Sequence, residues 1–149
     1  MTLSGHSESR DLKLQYDLEI IADLCDELGI SHRRTSPNEV LVGLEAGVEL
    51  VFLNFPDEDD CLIGFNGTEW HTHGDVSFAD QNGNYTELIY LDVLTGLSDG
   101  SVLICELWRP EGLADRWISH KDFVDEFRFM QQGDEVRVRP VSPNNRLHH

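Results

Sequence analysis

The chain has 149 residues, 28 acids against 11 bases for a formal charge of −17, and is 40% apolar and 26% charged. That balance describes one water-soluble globular domain. It argues against nucleic acid and anionic membrane surfaces as partners, because both need Lys and Arg to displace counterions. No apolar run nears the roughly 18 residues of a membrane span, and the opening MTLSGHSESR lacks the apolar stretch of a signal peptide.

Residues 1–8 read as a flexible tail. From Ser9 to Leu28 the apolar positions Leu14, Leu18, Ile21, Cys25 and Leu28 fall on one helical face, which Gly29 ends. Ser36-Pro37-Asn38 is a turn. Val40–Leu44 and Val48–Phe55 are rich in large and β-branched apolar residues and read as two strands joined through Glu45-Ala46-Gly47. Leu62–Phe65 and Thr68–His73 follow as strands around the turn dipeptide Asn66-Gly67.

Residues 80–84 form a loop. Asn84 and Glu87 then stand at capping-box spacing, which favours a helix over Glu87–Leu97, although Ile89, Tyr90 and Val93 also suit a strand. Val102–Trp108 and Arg116–Ile118 read as strands. Ser119 and Asp122 open a helix from Lys121 to about Gln132, with Phe123, Phe127 and Met130 on its apolar face. Glu135–Arg139 alternates as a last strand, and residues 141–149 read as a second tail. The expected fold is a single α+β domain: a mostly antiparallel sheet of about six to seven strands with three helices packed on it.

Cys25, Cys61 and Cys105 are widely spaced and flanked by apolar residues, which predicts buried free thiols and a reducing, cytoplasmic location. The charge is unevenly spread. Residues 35–108 hold 14 acids and no Lys or Arg. Asp57-Glu58-Asp59-Asp60 is the densest cluster. It reads either as a solvated hairpin tip or as a steering face for a basic partner.

Trp70-His71-Thr72-His73-Gly74 carries the one constellation with ligand chemistry. Alternate strand side chains share a face, so His71 and His73 point the same way. Two imidazoles so placed can share Zn²⁺ or another divalent transition metal, with Glu69, Asp75 or a distant His120 as further donors. The pair also reads as local counter-charge in a segment without Lys or Arg. A cupin would need Glu where Ser77 and Phe78 stand, and an amidohydrolase barrel would need about 250 residues.

The run Gly64–His73, followed by an apolar helix and a strand, resembles small uncharacterised bacterial proteins. In size, acidity and α+β pattern the chain is similar to immunity proteins of bacterial toxin systems. The resemblance implies a non-enzymatic acidic protein that masks a basic toxin, and it carries no family-defining residue. The leading expectation is therefore a cofactor-free binding protein. Its acidic face at Asp57, Glu58, Asp59 and Asp60 steers a basic protein partner, and Trp70 anchors it. The alternative is a small metal-dependent hydrolase with His71, His73 and Asp75 at the metal.

Overall fold

A buried asparagine sets where the first described helix starts. The computed structural model describes residues 15–123 and 131–142. Asn54 accepts the Tyr16 backbone N–H at 2.8 Å and donates its amide to the Tyr16 carbonyl at 2.9 Å, so its side chain imitates a strand partner. Both backbone groups of Tyr16 are thereby occupied, Asp17 is extended, and helix α1 (Leu18–Leu28) begins only after it. The Asp17 carboxylate accepts the Ile20 N–H at 3.1 Å, as an N-cap should. Gly29, at φ 72°, adopts the left-handed conformation that closes the helix. Leu18, Ile21 and Cys25 are its buried stripe.

Five strands follow as an antiparallel meander: β1 (Ser31–Ser36), β2 (Glu39–Glu45), β3 (Val48–Phe55), β4 (Asp60–Phe65) and β5 (His71–His73), in that spatial order. Strand β1, read in the sequence only as the approach to a turn, is a polar edge strand of composition SHRRTS. Edge strands tolerate polar side chains on both faces, so no apolar alternation announced it. In β3, Val48, Leu50, Phe52 and Asn54 face the core, while Glu49, Val51, Leu53 and Phe55 line the outer face. Register places His71 opposite Gly64 and His73 opposite Leu62, on that same outer face. A Cβ at Gly64 would lie 2.9 Å from the Trp70 carbonyl oxygen, so glycine is what allows β5 to dock this closely.

Strands β6 (Val76–Ala79) and β7 (Tyr85–Leu88) make a separate two-stranded ribbon. Asp80 closes its turn by accepting the N–H groups of Asn82 and Asn84. This corrects the expected helix start. The Asn84 side chain bonds back to Asp80, Glu87 pairs with Ser77 in the ribbon, and helix α2 runs over Tyr90–Asp99. Strands β8 (Val102–Arg109), β9 (Gly112–His120) and β10 (Glu135–Arg139) form a third sheet in the order β10-β8-β9.

The fold is α+β, but the expected layout of three helices on one six-to-seven-strand sheet is wrong. The described residues hold two α-helices and ten strands divided among three sheets. The Lys121–Gln132 helix falls largely on residues 124–130, outside the described residues. Before them, Phe123 folds back to bridge His120. The physical reason for the miscount is that short polar strands such as β1 and β7 pair through their backbones and carry no apolar signature. One core spans the elements: Ile21, Val42, Phe52, Ile63, Leu94 and Ile104 are all fully buried. Val141, within the stretch expected as a tail, belongs to it, whereas the other expected tail (1–8) and residues 143–149 lie outside the described residues. Among the described residues no helix is long and apolar enough to cross a membrane.

Candidate functional site

The chain leaves β3 at Phe55 through a short 3-10 turn, Pro56–Glu58, and enters β4 through Asp59, held at φ 50°. Pro56 fixes the turn's first torsion, and Asp is among the residues that tolerate the left-handed region. This geometry splits the acidic cluster. Asp57, Glu58 and Asp59 are exposed, whereas Asp60 is half-buried and stands opposite Phe55 in the ladder. Asp60 accepts the Cys61 N–H at 2.8 Å and faces the His73 Nδ1 at 3.0 Å.

Trp70 does not join that cluster. Asp60 opens β4 and Phe65 ends it, and Trp70 packs against Phe65 with ring centroids 6.1 Å apart. Five residues of extended strand separate the acidic tip from the tryptophan by ~17 Å. Trp70 is half-buried against the core, and its backbone N–H reaches Asp115 at 3.2 Å. One side of its surroundings is a hollow of about 360 Å³ bordered by His71, Val76, Phe78, Trp117 and Phe123.

His71 and His73 do share a face, and both are exposed. Their ring centroids are 5.2 Å apart with the rings at 77°. His71 Nδ1 lies 3.0 Å from the Glu69 carbonyl oxygen. The other sequence candidates do not complete the pair. Asp75 is exposed beyond Gly74, and its charge acts on Tyr16 and Cys61. His120 packs between the rings of Phe78 and Phe123. Among the described residues no three His, Cys, Asp or Glu side chains converge to hold a metal ion.

The arginines among the described residues are consumed internally. Arg33 pairs with Glu49, Arg34 with Glu19, Arg109 with Asp134, Arg137 with Glu135, Arg116 with Glu106, and Arg139 with Glu45. Those are all the arginines among the described residues. Helix α1 carries Asp26 and Glu27 in its last turn and no base there, which opposes the helix dipole. His32 Nε2 sits 2.8 Å from Asp26 as a partial offset.

The network around Glu106 was not read from the sequence. Glu106 is 4% exposed and Arg116 7%. The Trp108 indole N–H also donates to Glu106, at 3.2 Å. Arg139, from β10, lies 3.5 Å from Glu106 and 2.7 Å from Glu45 on β2, so it ties the third sheet to the first. Burial pushes the Glu106 carboxyl up, but hydrogen bonds from Arg116 and Trp108 and the two arginine charges outweigh it, and the group sits below the usual carboxylate range. The signal available in the sequence was one acid inside the apolar run VLICELW.

The three cysteines are free and buried, as the sequence suggested. Burial raises each thiol above its ordinary value, Cys25 to about 12. Burial likewise raises Tyr16, whose hydroxyl donates to the Gly74 carbonyl at 2.8 Å. Comparison with protein-family models, curated proteins and solved structures gave no match.

Proposed function

We propose that the protein is a non-enzymatic binding module that presents an anionic surface to a basic protein partner, in the manner of the immunity proteins its sequence resembles. One observation carries this reading. Every arginine among the described residues is neutralised by a carboxylate of the same chain, while Asp57, Glu58 and Asp59 are exposed on the turn between β3 and β4. The surplus negative charge therefore faces solvent, where it steers a cationic partner and raises its on-rate. The acids in the last turn of α1, which oppose the helix dipole, add to the same anionic surface. Trp70 contributes a partly exposed apolar edge some distance from the tip, and serves such a partner as a second contact. Three buried thiols suit a reducing cytoplasm.

The test is binding to a basic toxin nuclease domain across ionic strength. Between about 0.01 M and about 1 M salt the Debye length falls from about 30 Å to about 3 Å. Affinity is expected to drop steeply over that range. The triple change Asp57→Asn, Glu58→Gln, Asp59→Asn is expected to slow association more than it speeds dissociation. An affinity flat in salt and unmoved by the triple change would overturn the reading. The hydrolase alternative draws on the two histidines alone, with Asp60 already engaged by His73.

A further inference from the structure

We propose that His71 and His73 form a two-imidazole site for a divalent transition-metal ion of the zinc class, bound through both Nε2 atoms. The argument starts from which ring nitrogens are taken. The partner of His71 Nδ1 is the Glu69 backbone carbonyl, at 3.0 Å. A carbonyl oxygen only accepts, so Nδ1 carries the hydrogen. The partner of His73 Nδ1 is the Asp60 carboxylate, at 3.0 Å. An ionised carboxylate also only accepts, so the same assignment follows. In the neutral state both rings are therefore fixed as Nδ1–H tautomers, each with its lone pair on Nε2. A ring N–H donated to a carboxylate or a backbone carbonyl is the arrangement that orients metal-binding histidines. Here it occurs twice, on neighbouring same-face positions of one strand.

The spacing agrees. Two imidazoles on one tetrahedral ion, each with Zn–N of about 2.0–2.1 Å, put their ring centroids ~5 Å apart. The observed separation is 5.2 Å. The rings are exposed, and no lysine or arginine lies anywhere in residues 35–108, so no local cation from that segment opposes the ion. Opposite His71 in the ladder stands Gly64, which has no side chain. A hollow of about 270 Å³ bordered by Val51, Leu62, Gly64, Glu69 and His71 leaves room for further donors. With two protein ligands the remaining positions are open to water or to a donor from a bound partner.

The measurement is Zn²⁺ titration calorimetry on a chain ending before His148, so that the terminal histidines do not contribute. One ion per chain is expected. His71→Gln and His73→Gln should each weaken binding at least tenfold, and the double change should abolish it. Asp60→Asn, which removes the carboxylate charge behind His73, should weaken it by about tenfold with both ligands intact. Circular dichroism of each variant separates lost ligation from lost folding. An intact chain that takes up no zinc, or a folded double variant that binds as tightly as the parent, would overturn the proposal. So would an Asp60→Asn chain of unchanged affinity, because the carboxylate charge behind His73 is part of the claim.

Discussion

Arg116 places both its Nε and an Nη on one oxygen of Glu106, at 2.9 and 2.8 Å, across directly opposed positions of β9 and β8. Each is nearly inaccessible to water. Such a pair contributes little net stability when intact, because desolvation offsets the attraction. Removing one member is a different matter, since it leaves a buried charge without its main partner.

Arg116→Met is therefore expected to destabilise the fold by about 3–5 kcal/mol. The double change Glu106→Met, Arg116→Met should cost clearly less, because no charge is stranded. Urea denaturation of the two variants and the parent decides this. A double variant no more stable than the single one would mean that packing, not charge, governs the site.

The same carboxylate fixes a pH dependence. Glu106 is depressed in the folded state relative to about 4.3 in an unfolded chain. Its contribution is thus fully present above that unfolded value and is lost as pH falls through the folded one. The urea midpoint should decline on acidification below the ordinary carboxylate range, and Glu106→Gln should flatten part of that decline. Glu49 shifts the same way, through its Asn66 and Arg33 hydrogen bonds, but it lies nearer solvent and contributes less. A decline unchanged by Glu106→Gln would assign the acid sensitivity elsewhere.

Asn54 sits on the sheet's inner face yet spends its amide on the backbone of Tyr16, 38 positions earlier. Asn54→Ala leaves a buried N–H and a buried carbonyl unpaired, at about 1–3 kcal/mol each. The loss should be local before it is global. Hydrogen exchange at Tyr16 and through the first turn of α1 should accelerate more than exchange in β2 or β3. Uniform acceleration across the sheet would show that Asn54 supports the core rather than the entry of the helix.

Burial and raised thiol values together predict inert cysteines. In the native protein at mildly alkaline pH, a thiol reagent such as dithionitrobenzoate should titrate essentially none. After denaturation it should titrate all three. A rapidly reacting native thiol would show that Cys25, Cys61 or Cys105 is reached by local opening.

The elements that were legible in the sequence share one property. Strands β2, β3 and β8 alternate or run apolar, and the stripe of Leu18, Ile21 and Cys25 repeats at helical spacing, so each pattern is complete within a few residues. Strands β1 and β7 were not legible because their side chains are mostly polar and exposed, and the backbone alone pairs them. Glu87 was misread because a capping pair and a hairpin turn use the same residue types, and the Asp80 side chain decided for the turn.

For the candidate site the division is sharper. Sequence alone determined that His71 and His73 share a face, since alternation along a strand is local geometry. It also determined the charge imbalance and the three apolar-flanked cysteines. Tertiary structure alone decided that Asp60 lies against His73, 13 positions away, and that Arg139 reaches Glu45, 94 positions away. It likewise separated Trp70 from the acidic tip by placing them at opposite ends of β4. These outcomes depend on which strands become neighbours and in what register, and register is set by burial of the whole core rather than by any short stretch of chain.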